Sequence, residues 1–128
     1  MTMRDYLESS VGILKDEDWF LIENIIETKK YPRSEFMLSE GERCRTIWYL
    51  SEGSVRYFEI IKGREVTTHF FTAPAFFTAY HSLITGSVSD LYIITNETCR
   101  IQAFAYSKLF ELYDKSHKIE RIGRMMAE

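Results

Sequence analysis

Apolar residues recur at helical spacing near the start of the chain and alternate with polar ones through its middle. Trp19, Ile22, Ile25 and Ile26 share one stripe, which predicts a helix within Leu14 to Tyr31. Asp16 is its expected N-cap, with Glu17 and Asp18 at the positive end of the helix dipole. Lys29 and Lys30 suit its last turn, and Tyr31-Pro32 ends it, because a residue before proline avoids helical angles. From Glu35 to Ala105 the period shortens. β-rich runs cover Thr46 to Leu50, Ser54 to Ile61 and Arg64 to Phe71, and Lys62-Gly63 signals a two-residue hairpin. Asp90 to Thr95 and Thr98 to Ala105 flank a turn at Asn96-Glu97. Cys99, Ile101 and Ala103 alternate with Arg100 and Gln102, so one face of the last strand is buried and the other wet. Turns spaced by about 8–12 residues predict a sandwich or barrel rather than βαβ units. At the end, Ser107 is placed to cap a helix carrying Leu109, Leu112 and Tyr113. After Ser116, the residues Ile119, Ile122 and Met126 begin a heptad seam.

Length and composition narrow the classes. The 128 residues suit one domain, 1–128, and nineteen aromatics can fill its core without a metal or disulfide staple. Sixteen Lys and Arg against nineteen Asp and Glu give a charge of −3, which argues against a surface that binds nucleic acid by charge alone. Cys44 and Cys99 are too few for a secreted disulfide framework and read as buried, inert thiols. The N-terminus lacks the apolar run of a signal peptide. The longest stretch without an acid, Lys or Arg, Val66 to Ser89, holds Pro74 and eight Ser or Thr, so it is no membrane span. A soluble cytoplasmic protein with no cofactor is the expectation. No P-loop, Gly-x-Ser-x-Gly, His-Glu-x-x-His or dinucleotide fingerprint occurs, so no enzyme is expected.

One ordered series is more specific. Gly41-Glu42 is followed by Ile47-Trp48-Tyr49-Leu50, then Gly53 and Val55, and later by Phe76 to Leu83. The series resembles the cyclic-nucleotide-binding domain of the Crp/Fnr family of bacterial transcription regulators. The resemblance implies a mainly β fold, a jelly-roll barrel with flanking N- and C-terminal helices. It implies a short helix covering the phosphate of a cyclic nucleotide. It also implies a dimerisation helix, here starting at residues 115–128, and a helix-turn-helix that binds DNA and is not in this chain.

The chain departs from that family's phosphate cassette. Phe77-Thr78-Ala79 stands where the family has Phe-Gly-Glu, and Val88-Ser89 where it has Pro-Arg. No Arg or Lys occurs between Arg64 and Arg100, and no acid between Glu65 and Asp90. Losing one partner of a buried charged contact typically costs about 2–5 kcal/mol. That is roughly 30- to several-thousand-fold in affinity. The expectation is that cyclic AMP is not bound in the family manner.

What the cassette region offers instead is apolar and hydroxylated. The expected pocket residues are Phe70, Phe77, Thr78, Ala79, Tyr80, Leu83, Ser87 and Ser89, with Phe71, Phe76, Ser82, His69 and His81 able to contribute. They suit a small uncharged or weakly acidic effector. The plainer reading is that the aromatics fill the barrel. Ile119, Ile122, Met125 and Met126 are the residues expected to hold a homodimer. Two further readings are a stand-alone interaction module with a packed barrel and a cupin-like metalloprotein using His69 and His81.

Overall fold

The computed structural model describes residues 2–127; Met1 and Glu128, the outermost residues of the expected domain and of its dimer helix, lie outside them. The elements run α1 (Met3–Val11), α2 (Asp16–Glu23), β1 (Ile26–Tyr31), β2 (Phe36–Leu38), β3 (Thr46–Glu52), β4 (Ser54–Ile61), β5 (Arg64–Thr72) and β6 (Ala75–Phe77). They continue α3 (Tyr80–Thr85), β7 (Tyr92–Thr95), β8 (Cys99–Ala105), α4 (Tyr106–Leu112) and α5 (His117–Ala127). The strands form two antiparallel sheets, ordered β1-β8-β3-β6 and β2-β7-β4-β5. This is the mainly β, jelly-roll arrangement that the resemblance implied, with helices at both ends of the chain. Among the described residues no ladder joins the two sheets, so the roll is open along the edge strands β5 and β6. Among the described residues, no helix is long and apolar enough to cross a membrane.

Register explains where the core lies. In the first sheet Leu50 faces Ile101, and Trp48 faces Ala103 and Phe77, so these side chains share the inner face. Trp48 and Phe77 stack at 5.3 Å. Leu50, Ile93 and Ile101 are fully buried, and each such side chain contributes about 1.5–3 kcal/mol. The opposite face of that sheet carries Ile47, Phe104, Tyr49 and Phe76 against the helices. Tyr6 of α1 meets Tyr49 and Phe76 edge-on at 5.8 and 5.5 Å. The β4–β5 hairpin turns at Lys62-Gly63 with φ of 52° and 78°, the paired positive angles that its two-residue loop needs.

Several expectations are corrected. The predicted Leu14–Tyr31 helix stops at Glu23, and Ile26 to Tyr31 form a strand paired with Phe104 to Cys99 of β8. Ile25, Ile26 and Thr28 are β-branched, and sheet pairing overrides a helical spacing only four residues deep. Lys29 and Lys30 are therefore strand residues exposed to solvent. Asp16 is the first helical residue rather than the cap, and it accepts a 2.8 Å bond from Arg4 Nη2. Helix α4 starts at Tyr106, one residue before its predicted cap Ser107. Helix α1, with its Thr2–Asp5 capping box, and the short strands β2 and β6 escaped the pattern altogether.

The largest correction concerns α5. Ile119 and Ile122 are fully buried and Met126 nearly so, all within the chain's own core. Helix α5 packs on α1, α2, α4 and β6. The seam residues named for a homodimer thus face their own domain, because the sandwich leaves an apolar sheet face that a helix stripe must cover. Arg121 and Arg124 occupy the solvent side.

Candidate functional site

The segment from β6 to β7 is held by hydroxyl groups. Tyr57 Oη on β4 donates to the Thr78 carbonyl at 2.7 Å. Thr78 Oγ1 donates to the Thr46 carbonyl at 2.8 Å and lies 3.3 Å from Cys44 Sγ. Ser82 Oγ accepts from the Cys44 amide at 2.8 Å and donates to the Ser87 carbonyl at 2.6 Å. Ser89 is equally engaged: its amide donates to the Glu42 carbonyl at 2.7 Å and its Oγ to the Leu91 carbonyl at 3.0 Å. These hydroxyls position the backbone of the cassette. Burial and the loss of water around Tyr57 hold its phenol well above the ordinary tyrosine range.

Two cavities meet at the start of α3. The larger, of about 650 Å³, lies in the opening beside β6. Its walls include Tyr57, His69, Phe71, Phe76, Phe77, Thr78, Tyr80 and His81, closed by Tyr6 of α1 and Met125 and Met126 of α5. The smaller, of about 330 Å³, is lined by Ala79, Tyr80, His81, Ser82 and Ser89, with Glu59 and Asp90 at its walls. Neither wall contains a Lys or Arg. The side chain of Arg56, next to Tyr57, leaves by the other face of β4, where it stacks on Phe58 at 4.7 Å and pairs with Glu65 at 3.6 Å. An anion in either cavity meets no guanidinium, and in the smaller one it meets two carboxylates.

The expected pocket residues divide. Phe77, Thr78 and Tyr80 line the larger cavity, and Ala79, Tyr80 and Ser89 the smaller. Phe70 does not join them. Its neighbours His69 and Phe71 point inward, so strand alternation turns Phe70 out, 59% exposed. Leu83 lines a separate groove on the far side of α3, and Ser87 is an exposed residue of the turn that follows. The aromatics partly fill the roll, as with Trp48 on Phe77, and partly wall the cavities. Tyr57 is a wall residue that the pattern did not single out, although its register opposite His69 across the hairpin carries the signal. Tyr6 and the two methionines come from helices, and no spacing rule reaches them. Cys44 and Cys99 are both free and buried. Among the described residues, no group of three His, Cys, Asp or Glu is placed to hold a metal ion, so the cupin-like reading lacks a donor set.

The profile of the cyclic nucleotide-binding domain matches residues 28–116. The cAMP-activated global transcriptional regulator CRP of Haemophilus influenzae is 28% identical over 103 residues, covering 80% of this chain and 45% of that protein. This chain thus spans about half the length of that relative. In fold it is similar to the catabolite activator protein of Thermus thermophilus, with a TM-score of 0.74 at 17% identity over 91% of this chain and 53% of that one. A cyclic nucleotide-binding domain from Methylobacillus flagellatus superposes with a TM-score of 0.77 at 16% identity, over 97% and 76% of the two chains. The c-di-GMP responsive global regulator CLP of Xanthomonas campestris does so at 0.72 and 18% identity, over 88% and 55%. The chain belongs to the cyclic nucleotide-binding domain family.

Proposed function

We propose that this domain is the effector-sensing part of a Crp/Fnr-type transcriptional regulator and that its effector is not cyclic AMP. The carrying observation is the charge of the site: neither cavity has a Lys or Arg, and the smaller one carries Glu59 and Asp90. A cyclic phosphate in a low-dielectric cavity needs a counter-charge, and the six-residue helix α3 offers no arginine in its place. The aromatic walls favour a small uncharged effector, or a weak acid taken up in its neutral form. Phe77, Thr78, Ala79, Tyr80 and Ser89 form the contact surface with Tyr57, Phe71 and the two imidazoles of His69 and His81.

Met125 and Met126 of α5 touch the same cavity. Occupancy is therefore felt by the last helix of the domain, which supports a role in passing ligand state to a DNA-binding module outside this chain. The role is regulatory rather than enzymatic. Isothermal calorimetry tests the reading: cyclic AMP at millimolar concentration should give no saturable heat. Micromolar or tighter binding of cyclic AMP would refute it.

A further inference from the structure

We infer a second binding site, on the opposite side of the β6–α3 segment, for a small apolar ligand with a carboxylate head. A groove of about 790 Å³ runs between the loop before β3, the end of α3 and α4. Its floor is apolar: Cys44 and Leu83 are buried there. One wall is aromatic, with Tyr106 and Phe110 at 6.2 Å between ring centroids, and Phe110 is 59% exposed. The ring is therefore open to a ligand lying on that floor.

Charge selects the ligand. Arg43 and Arg45 line the same groove, and neither is within ion-pair distance of a carboxylate among the described residues. Glu111 is the single acid on the wall, so the groove keeps a positive balance. This is the reverse of the effector cavities, whose charged wall residues are both acids. Guanidinium groups take a planar carboxylate with two parallel hydrogen bonds, and the aromatic wall covers the tail.

The groove and the effector cavities share a wall. Thr78 lines the larger cavity while its hydroxyl bonds Thr46, which lines the groove. The Cys44 amide on the groove side bonds Ser82 on the cavity side. The inference does not rest on the proposed effector, since no residue of the groove other than these contacts enters that argument.

Calorimetry with octanoate, octanol and octylammonium separates the cases. Octanoate should bind about tenfold or more tightly than octanol, and octylammonium more weakly than either. Arg43→Gln combined with Arg45→Gln should bring octanoate to the level of octanol, and Phe110→Ser should weaken both. All these side chains are exposed, so folding checked by circular dichroism should be unchanged. Phe71→Ala, in the effector cavity, should leave octanoate binding intact. Equal binding of the three compounds, no binding at all, or loss of octanoate with Phe71→Ala instead of the arginine pair would overturn the site. The first two outcomes leave the effector reading standing.

Discussion

The Tyr57 hydroxyl donates to the Thr78 carbonyl at 2.7 Å, tying the inner face of β4 to the residue where β6 passes into α3. Both residues are buried and both line the larger cavity. Tyr57→Phe keeps the ring and removes the donor, leaving a buried carbonyl without that partner. Stability should fall by about 1–3 kcal/mol, read by urea denaturation. An unchanged midpoint would mean that water replaces the hydroxyl at no cost.

Adding a cation tests the electrostatic argument from the other side. Ser89→Arg places a guanidinium at the wall of the smaller cavity, where Ser89 is 4% exposed. Cyclic AMP binding should appear in calorimetry where none is expected of the parent, with lower stability from crowding and the lost Ser89–Leu91 bonds. A folded variant that still ignores cyclic AMP would show that charge is not what excludes it.

Ile122→Glu should unfold the domain rather than only separate a dimer. The side chain is fully buried in the core, and a carboxylate there lacks both water and a partner. A loss above about 3 kcal/mol is expected, seen as a collapsed thermal transition. A folded monomer by light scattering and circular dichroism would restore Ile122 to an intermolecular seam.

Gly53 allows no side chain. Its φ is +103°, and an added Cβ would stand 2.6 Å from Cys99 Sγ and 2.8 Å from the Thr98 carbonyl oxygen. Gly53→Ala should cost about 1–3 kcal/mol and be visible as a lowered melting temperature. Wild-type stability in this variant would require β3 and β8 to sit further apart than they do.

The Cys99 thiol should resist alkylation at pH 8 in the folded chain and react on denaturation. Burial pushes its pKa up, and the thiol donates to the Ser54 and Glu97 carbonyls. The folded chain then holds this proton more tightly than the unfolded one. Stability therefore falls as pH rises from the ordinary thiol value toward the raised one, and the buried Tyr57 phenol adds a fall of the same sign above about pH 10. Rapid labelling of Cys99 in native protein would contradict its burial.

Local chemistry was legible in the residues alone. The Lys62-Gly63 hairpin needs only two adjacent positive φ values, and the alternation of Cys99, Ile101 and Ala103 marked β8 as a strand, although the face expected to be wet is covered at Phe104 by the helices. The missing cation was also plain, because an absence of Arg and Lys from Arg64 to Arg100 survives any alignment. Strand β1 was not legible, since its partner Phe104 lies far along the chain from Ile26 and no short window contains both. Nor was the exposure of Phe70, which depends on which way β5 faces once its neighbours His69 and Phe71 turn inward. Residue types and short spacings therefore determined the strand-rich roll, its turns and the charge a ligand would meet. Only the packing of distant segments decided that α5 covers its own sheet, that Tyr57 and Tyr6 wall the cavity, and that the arginines stand outside it. Burial is a property of pairs brought together by folding, and no single stretch of chain carries both members.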